Sequence, residues 1–355
     1  MQAIISQNST IYFYNECYNF INNHLRTTNY SKLFIIVDQN TLKYCYPDFC
    51  SKIETKLNIE IIQIEDGEIN KNIETCLGVW NALSELNADR KCLIINLGGG
   101  VVTDLGGFVA STYKRGVNYI NVPTSLLAMV DASVGGKTGI DLGSLKNQIG
   151  VISNPETVLI DTSFLKTLPQ NEMRSGLAEM LKHGLIRDNQ YWNKMIDLSK
   201  LDATDLDNLI YESVVIKNDI VTKDPLEKGL RKTLNFGHTL GHAIESYHLE
   251  NQNKKTLLHG EAIAIGMVLA CFISTKITNF NHEKCNEIKN TIIKTFGKVN
   301  FEENDIDKII EFMKFDKKNS HGNINFVLLS EVGNAIIDQT VENTIIRESF
   351  KYYLN

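Results

Sequence analysis

Cys92-Leu93-Ile94-Ile95-Asn96-Leu97-Gly98-Gly99-Gly100-Val101-Val102-Thr103-Asp104-Leu105 passes from a nearly unbroken apolar run, through three glycines, into an apolar stretch. A continuous apolar strand is one covered on both faces, as in a parallel sheet. Glycines at the end of such a strand let the backbone approach a diphosphate. A helix starting there offers N–H donors and the positive end of its dipole. The stretch lacks the G-x-G-x-x-G spacing, so by itself it fits a nucleotide turn and a tight strand-to-helix turn equally.

Outward from it the pattern repeats. Leu33-Phe34-Ile35-Ile36-Val37, Ile59 to Ile64, Tyr119-Ile120-Asn121-Val122 and Thr157-Val158-Leu159-Ile160 are further short β-rich runs separated by helical stretches. Asp38-Gln39-Asn40 is expected to turn the chain after one of them and Pro123 to stop another. This alternation predicts a parallel sheet with helices on both faces. After about Pro169 the texture changes. Met173 to Ile186, Ala203 to Thr222, Lys232 to Tyr247, His259 to Lys276 and Glu283 to Phe296 read as helices, and Asn325 to Leu329 with Ala335 to Ile337 as a small strand pair. The expected organisation is an α/β domain over residues 1–168 and a mostly α-helical domain over 169–355. No Pro/Gly/Ser linker separates them, so close packing around a ligand-bearing cleft is expected.

Composition narrows the class. The 355 residues exceed one ordinary core, and 43% apolar with 22% charged is a globular balance. The net charge of −6, with no basic stripe, argues against a nucleic-acid partner. The apolar run Ala262 to Ile273 falls short of the roughly 18–20 residues of a membrane span. No signal peptide is readable at Met1-Gln2-Ala3-Ile4-Ile5-Ser6, so a cytoplasmic protein without a membrane partner is expected. Seven cysteines without a C-x-x-C pair suit free thiols in a reducing compartment.

Three groups of residues carry chemistry. Ser133-Val134-Gly135-Gly136-Lys137-Thr138-Gly139 resembles a phosphate loop but has Asp131 where the Walker pattern needs glycine. His238 and His242, four apart, would share a helix face and could meet one metal. His259-Gly260-Glu261 opens another helix, and Glu179 and Lys182-His183 lie on an earlier one. A glutamate and histidines from separate helices suit a zinc site with an open position. His183 is a weaker fourth donor, and His24, His248, His282 and His321 are expected at the surface. Lys137, Lys146, Lys182, Lys217, Arg231 and Lys317 would, if clustered, bind a small anion. Arginine suits a carboxylate and lysine a phosphate.

The long blocks around these residues resemble the 3-dehydroquinate synthase family. They are Gly98 to Phe108, Val122-Pro123-Thr124-Ser125-Leu126-Leu127-Ala128-Met129-Val130-Asp131 through Thr138, Leu234-Asn235-Phe236-Gly237-His238-Thr239-Leu240-Gly241-His242-Ala243, and His259-Gly260-Glu261. The likeness runs in order over about residues 30 to 330. It implies a Rossmann-like NAD-binding domain, a helical metal- and substrate-binding domain, and an active site in the interdomain cleft. It also implies a carbon–oxygen lyase of the shikimate pathway, leading to chorismate and the aromatic amino acids.

Carried over residue by residue, the resemblance gives the metal to Glu179, His238 and His259. His242 then faces the substrate phosphate, which departs from the pairing of His238 with His242 suggested by spacing. NAD would be held by Asp38, Glu68, Lys71, Gly98, Gly99, Gly100, Asp104, Thr124, Ser125, Asp131, Lys137, Lys146, Asn147, Thr167 and Leu168. Ser125 stands where threonine is commoner, with the hydroxyl kept. Substrate groups would be Asp131, Lys137, Asn147, Lys182, Lys217, Arg231, Asn235, His242 and Lys317, the last chosen over its neighbour Lys318. Arg115 would reach into the partner's site of a homodimer.

The implied reaction converts 3-deoxy-D-arabino-heptulosonate 7-phosphate to 3-dehydroquinate and phosphate. It runs by transient NAD-dependent oxidation at a zinc-acidified alcohol, β-elimination of phosphate, re-reduction, ring opening and intramolecular aldol closure. Cobalt can substitute for zinc. Sister sugar-phosphate cyclases and a metal-dependent polyol dehydrogenase of the same fold are the alternatives. Arg231, Asn235 and Lys217 together favour a substrate bearing a carboxylate.

Overall fold

The apolar runs of the first half all become strands of one sheet. The computed structural model describes residues 1–355 apart from 7–8, 144, 197–202, 252 and 314–323. The chain divides into two compact units, Met1–Pro169 and Gln170–Asn355.

In the first unit the elements are β1 (Ile4–Ser6), β2 (Ser9–Phe13), α1 (Asn15–Thr27), β3 (Leu33–Asp38), α2 (Gln39–Tyr44), α3 (Tyr46–Ser51), β4 (Ile59–Ile64), α4 (Ile73–Glu85), β5 (Leu93–Gly98), α5 (Gly100–Thr112), β6 (Asn118–Pro123), β7 (Lys137–Leu142), β8 (Leu145–Ile152) and β9 (Thr157–Ile160). Among the described residues the main sheet has the order β1-β2-β9-β6-β5-β3-β4. All its neighbours are parallel except β1 with β2. Strands β3 and β5 are buried along almost their whole length, as a sheet covered on both faces requires. From β3 the chain goes outward to β4 and then returns to β5 on β3's other side. The carboxyl ends of β3 and β5 therefore flank the topological switch point, where open α/β sheets bind ligands.

Several expectations need correction. Asp38-Gln39-Asn40 is a helix start rather than a turn. The Asp38 carboxylate accepts from Thr41 N (2.7 Å) and caps α2. The N-terminus adds strands the sequence reading did not expect: β2 is only five residues long and pairs with the remote β9. The glycine segment 133–139 leads into a β-hairpin, β7 with β8. Gly139 and Gly150 face each other there, and a Cβ on either would meet the opposite backbone at 2.5 and 2.2 Å.

The second unit contains α6 (Gln170–Arg187), α7 (Asn189–Met195), α8 (Ala203–Lys223), α9 (His238–Glu250), α10 (His259–Ile277), α11 (His282–Phe296), α12 (Glu303–Phe312), the hairpin β10 (Asn325–Glu331) and β11 (Asn334–Thr340), and α13 (Asn343–Leu354). Its axis is α10, buried from Gly260 to Ser274 and packed by α6, α9, α11 and α13. As expected, a helix runs from His259, ending one residue beyond Lys276. Its 19 residues and mean hydropathy of 1.6 would suffice to cross a membrane by length and composition, yet 83% of its apolar stretch is buried inside protein.

The helix expected over Lys232 to Tyr247 is two elements. A 3₁₀ turn, Leu230–Asn235, is followed by Phe236 and Gly237, whose φ of 77° is left-handed, and α9 starts at His238. Two histidines expected at the surface are not free there. His248 is buried and bonds Lys255 O (2.8 Å). His24 lies 3.0 Å from Glu156 and stacks on Phe20.

Candidate active site

In the first unit the nucleotide candidates gather at the carboxyl ends of the strands. Asp38 ends β3, Glu68 and Lys71 follow β4, Gly98–Gly100 end β5, Thr124 and Ser125 follow β6, and Thr167 and Leu168 follow β9. Gly99 is the N-cap of α5 and offers no side chain to cap it, so the first-turn N–H groups keep their donor capacity for a ligand. Thr124 N donates to Gly98 O (3.0 Å), and a Cβ on Gly99 would approach Ser125 Oγ at 3.3 Å. This uncapped, glycine-lined helix start fits the diphosphate of a dinucleotide. The Cys45 thiol sits against Thr124 and Thr167, and burial pushes it up to about 11.

Beside this cradle lies a charged cluster. Lys71, 3% exposed, is 2.9 Å from Glu68, 3.5 Å from Asp104 and 3.9 Å from Asp141, and it donates to Asn147 Oδ1 (2.8 Å). Asn147, with a left-handed φ of 53°, gives its N–H to Asp141 Oδ1 (2.6 Å), and Lys146 lies 3.6 Å from Glu68. Asp141 was missed in the sequence because only the β7–β8 hairpin brings it here. Burial pulls the Lys71 ammonium down, but the carboxylates of Glu68, Asp104 and Asp141 together hold it above its ordinary value. Burial pushes the Asp104 carboxyl up to about 7, with Lys71 drawing it back.

A carboxyl raised on folding favours the folded state fully below its unfolded value of 3.8 and loses that contribution as pH rises through about 7. Asp104→Asn is therefore expected to melt like the parent near pH 4 and above it by on the order of 4 kcal/mol at pH 8. Melting curves across that range check it, and a pH-independent difference would refute it.

The remaining first-unit candidates lie on other elements. Asp131 lies in the π turn Ala128–Ala132, and Lys137 is exposed at the start of β7. Arg115 is exposed at the turn after α5, where Lys114, Arg115 and Gly116 all have positive φ (48°, 70° and 112°).

In the second unit close backbone packing builds the site. A Cβ on Gly266 of α10 would lie 2.0 Å from Gly237 O, and one on Gly241 of α9 would lie 3.0 Å from Ile263 Cα. One on Gly260 would lie 2.3 Å from Ser175 O of α6. These glycines let α6, α9 and α10 touch backbone to backbone. Glu179 of α6, His238 of α9 and His259 of α10 then converge.

Glu179 is fully buried, contacts Lys182 one turn on, and accepts no hydrogen bond among the described residues. Its Oε1 lies 3.7 Å from His238 Nε2 and 3.8 Å from His259 Nε2. That is too long for hydrogen bonds. Two ligands each about 2.1 Å from one tetrahedral ion stand about 3.4 Å apart, so the spacing suits a shared zinc. His238 Nδ1 faces Phe236 O (3.1 Å) and His259 Nδ1 faces Glu245 Oε2 (3.1 Å). Both partners only accept, so each Nδ1 carries the proton and each Nε2 presents a lone pair toward Glu179. Both imidazoles also occupy the first position of a helix. The residues present fit the metal.

His242 stands alongside, its ring 5.1 Å from that of His238 and 5.6 Å from that of His259. The three histidines can reach a common ion, but the Glu179 carboxylate adjoins His238 and His259. His183 is buried with Nδ1 on Ser213 Oγ (2.7 Å).

Lys182, Lys217 and Arg231 are each at most 5% exposed, on α6, α8 and the 3₁₀ turn, which pack on one another. Arg231 Nη1 donates to Pro225 O (2.8 Å), and its backbone N–H donates to Asp224 (3.0 Å). Asn235 Nδ2 donates to Glu227 Oε1 (2.9 Å). Asp224, Glu227 and Glu245 escaped the sequence reading. As single acidic residues they carry no spacing signal, although Glu245 falls three residues after His242 on one helix stripe. Lys317, with Lys318, lies outside the described residues.

Two family models cover most of this chain: 3-dehydroquinate synthase N-terminal over residues 61–175 and 3-dehydroquinate synthase C-terminal over residues 176–319. The chain belongs to the 3-dehydroquinate synthase family. It is 42% identical over 331 residues to a 3-dehydroquinate synthase of Parabacteroides distasonis, covering 93% of each chain. Among solved structures it is similar to a 2-deoxy-scyllo-inosose synthase complexed with carbaglucose-6-phosphate, NAD⁺ and Co²⁺ (TM-score 0.85, 23% identity, 99% and 100% of the two chains covered). It is also similar to a 2-epi-5-epi-valiolone synthase of Streptomyces hygroscopicus with NAD⁺ and Zn²⁺ bound (TM-score 0.84, 22% identity, 100% and 99% covered). At these identities the two structures bear on the fold. The 3-dehydroquinate synthase family and its fold were thus legible in the motif blocks.

Proposed function

We propose that this chain is a 3-dehydroquinate synthase that converts 3-deoxy-D-arabino-heptulosonate 7-phosphate to 3-dehydroquinate and phosphate, with NAD and zinc as cofactors. What carries the reading is the buried Glu179 carboxylate facing two imidazole Nε2 atoms, in a unit that also buries Lys182, Lys217 and Arg231.

Bound at the start of α5, with Asp38, Glu68, Lys71, Asp104, Thr124, Ser125, Lys146, Asn147, Thr167 and Leu168 around it, NAD supplies an acceptor and then a donor of hydride. Glu179, His238 and His259 would hold zinc, which would supply a Lewis acid for the oxidation step. The remaining work falls to the chain's own groups. Arg231 and Lys217 hold the substrate carboxylate, Arg231 with its fork pinned by Pro225 O and its backbone by Asp224. Asn235, oriented by Glu227, presents its amide to substrate, and His242 and Lys137 take the phosphate. Lys182 lies against Glu179 and offsets its charge inside the protein. Such fixed charges act by positioning and by stabilising charge as it develops. Asp131 and Lys317 complete the substrate set, the enzyme works as a cytoplasmic homodimer, and Arg115 acts across its interface.

The test follows phosphate release with zinc-loaded protein and catalytic NAD⁺, with NADH absorbance in parallel. Stoichiometric phosphate with no net NADH is expected. Turnover only with a sugar phosphate lacking the carboxylate would move the chain to a sister cyclase. Arg231→Ala is expected to raise KM about a hundredfold, the loss of roughly 3 kcal/mol of charge-assisted hydrogen bonding. Its zinc should stay near one per chain. Loss of zinc from that variant would count against a carboxylate-binding role.

A further inference from the structure

We propose that Glu245 is the positioning residue that fixes His259 as a metal ligand, so that metal retention depends on its side chain. The inference rests on the assignment of Glu179, His238 and His259 as the metal set. His238, His242 and Glu245 are spaced i, i+4 and i+7, so α9 presents them along one stripe. Glu245 is 6% exposed, and its Oε2 lies 3.1 Å from His259 Nδ1. Burying a carboxylate is costly unless it is hydrogen-bonded.

The two histidine ligands are held differently. His238 is anchored by a carbonyl two residues away, within its own helix start. His259 follows the 251–258 connection, its side chain is 26% exposed, and its Nδ1 partner is 14 residues away on another helix. Ring orientation at His259 is therefore a tertiary property set by Glu245. The carboxylate accepts from Nδ1 and so turns the Nε2 lone pair toward Glu179.

The test compares the parent, Glu245→Gln and Glu245→Ala by zinc competition against a chromophoric chelator and by visible absorption of the Co²⁺-loaded protein. Melting of each metal-free form is recorded alongside. Glu245→Ala is expected to lose roughly 10–100-fold in zinc affinity and to change the Co²⁺ bands, with metal-free melting near the parent. Glu245→Gln keeps an acceptor oxygen without the charge and is expected to recover part of the loss. Parent-like affinity and spectrum in both variants would overturn the inference. If Glu245→Ala does not fold, Glu245→Gln decides: parent-like affinity and spectrum there would make Glu245 a residue of the fold only, again overturning it. A parent that binds no zinc, or a Glu179→Gln variant that retains it, would instead refute the metal assignment on which this inference rests.

Discussion

Gly266→Ala will force α9 and α10 apart and abolish zinc binding. The added Cβ would lie 2.0 Å from Gly237 O and 2.8 Å from Gly241 N. Both are backbone atoms, so no side chain can rotate to make room. The helices must separate by more than an ångström, and His238 sits next to the displaced carbonyl. Overpacking of this kind costs about 3 kcal/mol or more. The Nε2 atoms of His238 and His259 would lose their common distance to Glu179, to which both now lie within 3.8 Å. Expected results are a large fall in melting temperature, less than about a tenth of a zinc per chain, and no phosphate release. Gly78→Ala in α4 is the control: nothing lies within 4 Å of its added Cβ, and alanine there should stabilise by roughly 0.5–1 kcal/mol. A Gly266→Ala protein with parent-like zinc content would mean the helix contact does not govern the site.

The second large effect is expected from Glu179→Gln. The substitution keeps size and shape but removes the charge that balances a divalent ion and the buried Lys182. Removing one partner of a buried ion pair typically costs about 3–5 kcal/mol, because the other charge is left behind. The amide is also a poor zinc ligand. Phosphate release should fall by at least about a thousandfold, and the protein should emerge from zinc loading nearly metal-free. NAD binding, assigned to the other unit, should persist. Retained zinc with lost turnover would recast Glu179 as a substrate group and promote His242 to the third ligand.

These predictions combine information of different origin. The parallel sheet was legible because β3 and β5 are apolar along most of their length, as a sheet covered on both faces requires. Gly98–Gly100 marked the turn from strand to helix for the same local reason. The helix break at Gly237 was not legible, since Leu234 to His242 fits helical spacing and only the left-handed φ shows the interruption. The strand β2 was missed because its partner is remote.

The sequence by itself determined the family, the sheet, and the residue types able to hold a metal and an anion. All of these follow from local pattern and from motif blocks that survive without knowledge of contacts. Only the tertiary structure decided which nitrogen of each imidazole faces Glu179, that Asp141 joins Asp104 around Lys71, and that Glu245 lies against His259. Spacing along a helix says which side chains share a face. Which nitrogen meets which oxygen depends on how closely two helices approach, and here glycines with no side chain set that distance.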